Sequence, residues 1–210
     1  IEISFEGLPE EDNYKYVDML LALHGLAGDS DIKIISPILP LPTALSENDE
    51  NKINITDFTP VWNFIWDDEK ITSPAAPYNK MQDFFGSENM PKHAPKLLMG
   101  IPTFGIDYIK NGSDYRKMAV SASAGLEIAN GRAITSAFNE QSRTPYIQYT
   151  ENTRKFPEEH LICYEDARSI SEKLDMLDRY KLGGVSIMSL DYNCPVLWQV
   201  LNQRYNILKY

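Results

Sequence analysis

The first six residues, Ile1-Glu2-Ile3-Ser4-Phe5-Glu6, alternate apolar and polar side chains. Period-two alternation predicts a strand with Ile1, Ile3 and Phe5 on one face and Glu2, Ser4 and Glu6 on the other. Two carboxylates and a hydroxyl on one strand face are costly to bury unless they form a site. Glu6 is the last of them, directly before the turn Gly7-Leu8-Pro9. An acid at the C-terminal end of a strand, facing a loop, stands where (β/α) barrels carry their catalytic groups. The same alternation also fits a half-solvated strand, and this stretch alone leaves both readings open. A second acidic group, Asp67-Asp68-Glu69, closes the apolar run from Phe58 to Trp66. Neighbouring strand residues point opposite ways, so only some of these three acids face one site.

The elements that would position these groups alternate along the chain. A helix is predicted over Asn13–Leu26, ended by Gly28, and a short strand over Asp31–Pro37. The polar Leu41–Asn54 stretch reads as a surface loop. Strands follow over Phe58–Trp66 and Lys96–Pro102, with a helix over Asn79–Phe85 between them. Near-continuous apolar runs such as Lys96–Pro102 suit central parallel strands buried on both faces. Residues 109–164 are mixed and read as an inserted α+β subdomain, closed by a strand over Leu161–Glu165. Ser169-Ile170-Ser171-Glu172 has the form of a capping box for a helix that Gly183 ends as a left-handed cap. A strand over Val185–Leu190 and a helix over Trp198–Leu208 complete the order. The alternation implies an α/β fold with a parallel sheet. Three segments result: 1–108, the 109–164 insert, and 165–210. No glycine-rich phosphate loop follows a strand, which argues against a nucleotide-binding fold.

The 210 residues carry a net charge of −10, with 43% hydrophobic and 11% aromatic content. This suits one globular domain and argues against nucleic acid or an anionic membrane surface as partner. No apolar run is long enough to span a bilayer. His24, His93 and His160 form no metal motif, and Cys163 and Cys194 lack ligand spacing, so neither metal nor cofactor is expected. The sequons at Asn54 and Asn111 fall in polar stretches and suggest glycosylation in a secreted or lysosome-like setting.

Four stretches together resemble the family 18 glycoside hydrolases. Glu2-Ile3-Ser4-Phe5-Glu6 is similar to the D-x-D-x-E of the fourth strand of that family's barrel. Phe64-Ile65-Trp66-Asp67 is similar to M-x-Y-D on the sixth strand. Lys96 to Gly105 (KLLMGIPTFG) is similar to K-L-V-M-G-I-P-x-Y-G on the seventh, and Gly183 to Met188 (GGVSIM) to G-G-V-x-x-W on the eighth. Ala76-Pro77-Tyr78-Asn79, Cys163-Tyr164-Glu165-Asp166 and Leu8 to Asp12 fit the branch that contains di-N-acetylchitobiase and spore-cortex hydrolases. The resemblance implies the C-terminal part of a (β/α)8 TIM barrel, about strands four to eight, with a small insertion after strand seven. It also implies that the N-terminal half of the barrel precedes Ile1 or is supplied as a separate chain.

Members of this family use the substrate's own N-acetyl group as nucleophile, a departure from the two-carboxylate scheme of other retaining glycosidases. A Glu protonates the leaving oxygen, an Asp two residues earlier orients the acetamide and stabilises the oxazolinium, and a Tyr donates to the acetamide. By motif, Glu6 matches the acid, and its pKa must be raised by burial for that role. Ser4 stands where the orienting Asp belongs and brings a hydroxyl without charge. Glu2 replaces the first Asp of the triplet, Trp66 the Tyr, and Asp67 is retained. Phe104 replaces a sugar-contacting Tyr, and Met188 replaces the Trp beneath the reacting sugar. The implied catalytic set is Glu6, Ser4 and Asp67, with Glu2, Trp66, Phe104, Tyr108 and Met188 contacting substrate. Core packing alone would also explain Trp66, Phe104 and Met188. Departures at several positions together suggest weakened or absent hydrolysis and a role in binding N-acetylglucosamine-containing glycans or as an extracellular structural component. An active hydrolase with an altered acetamide clamp and a non-sugar-binding scaffold are the alternatives.

Overall fold

A computed structural model describes residues 1–5, 8–38, 45–62, 73–88, 90–112, 114–154 and 156–207. The chain divides into two compact units, the first made of Ile1–Phe64, Met81–Gly100 and Met176–Ser186, the second of Ile65–Lys80, Ile101–Asp175 and Ile187–Tyr210.

Strand β1 (Thr59–Val61) pairs in parallel with β2 (Leu97–Pro102), Thr59 opposite Leu97 and Val61 opposite Met99. The sheet order is β1-β2-β8, with β8 spanning Gly184–Met188. Parallel bridges extend this ladder from Val61 to Ile38, from Phe58 to Ile35, and from Ile35 to Glu2. Among the described residues the pairing ends at Glu2 on one side and at β8 on the other, so the ladder does not close. Among the described residues the expected opening strand is reduced to that single bridge at Glu2, made by Ile3 N–H to Ile35 O and Ile35 N–H to Ile1 O, each 2.9 Å. Its apolar face is only partly covered, with Ile1 68% and Phe5 55% exposed. Helix α1 (Asn13–Ala27) buries Tyr16 and Leu20 against Ile34, with Ile3, Leu8 and Ile55 packed around them.

The stretch expected to be a loop carries a helix instead, α2 (Glu47–Ile55). Only Ile53 in it is buried, so there is no apolar stripe to read. Its start is fixed by a reciprocal cap, Asp49 N–H to Ser46 Oγ and Ser46 N–H to Asp49 Oδ2, both 3.1 Å. Burial alone would lift the Asp49 carboxyl, but hydrogen bonds from Ser46 and Lys52 hold it below the ordinary range. Ser46→Ala is expected to cost about 1 kcal/mol of stability, read from urea unfolding. At the other end the Lys96 ammonium donates to Ile53 O, Asn54 O and Thr56 O at 3.1, 2.9 and 2.9 Å. Helix α3 (Tyr78–Phe85) agrees with expectation and buries Met81, Phe84 and Phe85.

The second unit is built on a five-stranded antiparallel sheet of order β4-β3-β7-β6-β5. Its strands are β3 (Phe104–Asn111), β4 (Asp114–Ser121), β5 (Ala137–Asn139), β6 (Thr144–Asn152) and β7 (Pro157–Cys163). Helix α4 (Ala122–Gly131), capped by Ser121 Oγ on Ala124 N–H at 3.2 Å, packs on a core of Ala129, Ile147, Ile162 and Tyr164. Gly125 in that helix lies so close to Tyr164 that a Cβ would fall 2.3 Å from the ring.

Two predicted signals are displaced around α5 (Ala167–Tyr180). Its reciprocal cap lies three residues earlier than expected: Ser169 N–H donates to Asp166 Oδ1 at 2.8 Å and Asp166 N–H to Ser169 Oγ at 2.9 Å. Past its end, Lys181 and not Gly183 takes the left-handed backbone, at φ 55. Gly183 is required for close approach, because its N–H bonds Ala94 O and Leu97 O and a Cβ would sit 2.3 Å from Pro95 O. Helix α6 spans Pro195–Arg204, with Pro195 in its first turn, where a missing N–H costs nothing.

Candidate functional site

Glu2 and Ser4 lie on the bridged segment of the first unit, both exposed. The backbone between them is fixed by Tyr16, whose hydroxyl donates to Ile3 O at 2.7 Å and lies 2.7 Å from Ser36 Oγ. Phe5 packs its ring edge on Tyr16 at 5.5 Å. Local desolvation raises the Glu2 carboxyl above its ordinary value. Glu6, Trp66 and Asp67 lie outside the described residues. In the same unit, Trp62 Nε1 donates to Ser186 Oγ on β8 at 3.2 Å.

In the second unit the residues around Phe104 and Met188 meet. Thr103 N–H donates to Met188 O at 2.7 Å, and the Thr103 hydroxyl to Ser189 O. Phe104 is 2% exposed, while Met188 is half-buried. The Tyr192 ring lies over Phe104, centroids 5.6 Å apart and tilted by 51°. Tyr108, further along β3, is buried, its hydroxyl donating to Ser73 O at 2.5 Å and accepting from Ser73 N–H at 3.0 Å.

The asparagines of the two sequons lie at the ends of regular elements. Asn54 is exposed on the last turn of α2; Asn111 ends β3 and its amide donates to Glu158 Oε1 at 3.3 Å. Both cysteines are buried and free. Burial, with the Glu165 charge adding to it, pushes the Cys163 thiol up to about 12, and Cys194 is raised by burial as well. Thiols held protonated in this way are poor nucleophiles. Among the described residues no group of three or more His, Cys, Asp or Glu side chains is arranged to hold a metal ion.

A buried ionisable pair escaped the sequence reading. His160 Nδ1 lies 2.9 Å from Asp107 Oδ2, with Tyr149 stacked on the imidazole at 4.6 Å and the Arg132 guanidinium 4.5 Å from the Tyr149 ring centroid. The partners are 53 residues apart, so no local spacing reveals them. Burial raises the Asp107 carboxyl above its ordinary 3.8, although His160 and Arg116 pull it down. The folded chain therefore holds this proton more tightly than the unfolded chain. Ionising Asp107 removes stability as pH rises from about 3.8 through the higher folded value. Urea unfolding across that window is expected to show wild type losing stability relative to Asp107→Asn as pH rises.

The sequence model of the family described as Glycosyl hydrolases family 18 matches residues 5–193. The cortical fragment-lytic enzyme of Bacillus subtilis (strain 168) is 26% identical over 226 residues, covering 100% of this chain and 50% of that enzyme. The di-N-acetylchitobiase of Rattus norvegicus is 30% identical over 156 residues, covering 63% of this chain and 41% of its own length. The fold superposes on the crystal structure of the Bacillus cereus spore cortex-lytic enzyme SleL with a TM-score of 0.86 at 20% identity, covering 100% of this chain and 49% of that one. The chain thus spans about half the length of these relatives.

Proposed function

This chain belongs to the family 18 glycosyl hydrolases, and from that premise we propose that it serves a protein which binds N-acetylglucosamine-containing glycans with weakened hydrolysis. The observation that carries the reading is Ser4. It is exposed on a segment held by Ile35 and Tyr16, and it offers a hydroxyl where the resemblance calls for a charged orienting carboxylate. A hydroxyl hydrogen-bonds an amide but does not offset the positive charge of an oxazolinium. Losing a well-placed electrostatic stabiliser costs on the order of 100- to 1000-fold in rate. The parallel ladder is read as strands four to eight of a (β/α)8 barrel and the antiparallel sheet as its insertion. The rest of the barrel, and the activity, belong to the whole protein. The sequons support a secreted or lysosome-like setting.

A second reading, an active retaining hydrolase, draws on the retained Glu6 and Asp67. Hydrolysis of labelled chito-oligosaccharides by the complete native protein, with Glu6→Gln as control, separates the two. Saturable binding with turnover at the level of the control is the expected result. Turnover that is fast in wild type and lost in the control would establish the second reading instead.

A further inference from the structure

We propose that Tyr192 is the aromatic platform for the sugar ring, taking over from positions 104 and 188. This inference rests on the glycan-binding reading above. Phe104 is 2% exposed, so neither face of its ring is open to a ligand. Met188 supplies a flexible thioether rather than a flat ring. Tyr192 covers Phe104 and is itself half-buried, so the residue keeps some contact with solvent. Among the described residues its hydroxyl has no protein partner, which leaves it free to bond a sugar hydroxyl or acetamide.

The loop that carries Tyr192 is held at both ends. Ser189 O accepts from the Thr103 hydroxyl, Ser189 Oγ donates to Asp191 Oδ2 at 2.6 Å, and Asp191 N–H donates back to Ser189 Oγ at 3.1 Å. Beyond the ring, Asn193 O accepts from Ser123 Oγ at 3.3 Å, and Cys194 is buried ahead of α6. A ring fixed this way loses little freedom when a ligand settles on it. An apolar face with one polar tip suits a neutral pyranoside, which offers a C–H face and a hydroxyl edge.

The test is calorimetric titration of the complete native protein with the N-acetylglucosamine trimer. Tyr192→Leu keeps apolar cover over Phe104 and is expected to weaken binding about tenfold, the equivalent of about 1.4 kcal/mol. Tyr192→Trp keeps a flat ring and should stay within about threefold of wild type. Leu190→Ala, at an 82% exposed position in the same loop, should change nothing. If wild type binds and Tyr192→Leu binds equally well, the platform is overturned while the glycan-binding reading stands. Equal weakening by Tyr192→Leu and Leu190→Ala would mean a disturbed loop and overturn it too. If wild type does not bind, the glycan-binding reading falls and this inference falls with it.

Discussion

Ser4→Asp in the complete native protein is expected to raise turnover of labelled chito-oligosaccharides about 100-fold, the lower end of what such a stabiliser is worth. The backbone at this point is already fixed. Ile3 N–H bonds Ile35 O at 2.9 Å and the Tyr16 hydroxyl bonds Ile3 O at 2.7 Å. In this chain the Ser4 side chain is exposed, so a carboxylate there displaces no packed neighbour among the described residues. The gain should be in kcat more than in KM, because the charge it offsets develops only as the acetamide attacks. Trp66 and Met188 still depart from the family pattern, which holds the expectation to the lower end. Steady-state rates for Ser4→Asp, with and without Glu6→Gln, measure it. Unchanged turnover with unchanged binding would mean that Ser4 is not the departure that limits catalysis.

Lys173→Met is expected to destabilise the protein by about 3–5 kcal/mol, the usual cost of removing one member of a buried ion pair. Lys173 is 0% exposed, and its ammonium reaches both oxygens of Glu165 at 2.7 and 2.6 Å. Ser169 Oγ adds a 2.7 Å bond to the same carboxylate. Without the ammonium, Glu165 must either keep an uncompensated charge in the interior or take up a proton. Adding Glu165→Gln to Lys173→Met should recover most of the loss. Urea midpoints of wild type, single and double variants decide it. A single variant within about 1 kcal/mol of wild type would mean that solvent reaches Glu165 when Lys173 is gone.

What the sequence reveals depends on whether the force that shapes an element leaves a local pattern. Strand β2 and helix α3 carry apolar runs or stripes that end at buried residues, and both were legible for that reason. Helix α2 was not, because it is held by a cap, by the ion pairs Lys52–Asp49 and Lys92–Glu50 and by Lys96 rather than by an apolar face. Ser46-x-x-Asp49 was the available signal, hidden among acids that read as a solvated loop. The opening alternation was legible as a pattern but overstated as structure, since a strand also needs partners along its length and among the described residues only Glu2 has one. At the candidate site, residue types at Ser4, Phe104 and Met188 were visible from the resemblance. Tyr192 was not, because its value lies in covering Phe104 from a loop about ninety residues downstream. His160 was hidden in the same way by its distance from Asp107.

The Lys96 ammonium links two segments that are far apart in the chain. Its three donors are matched by three carbonyl oxygens around the end of α2, while its own backbone leads directly into β2. Withdrawing α2 strands the ammonium, and withdrawing Lys96 strands the carbonyls. Neither segment opens at its own cost alone. The two should therefore behave as one cooperative block, so that in deuterium labelling of the native chain the amides at the end of α2 and the start of β2 exchange together.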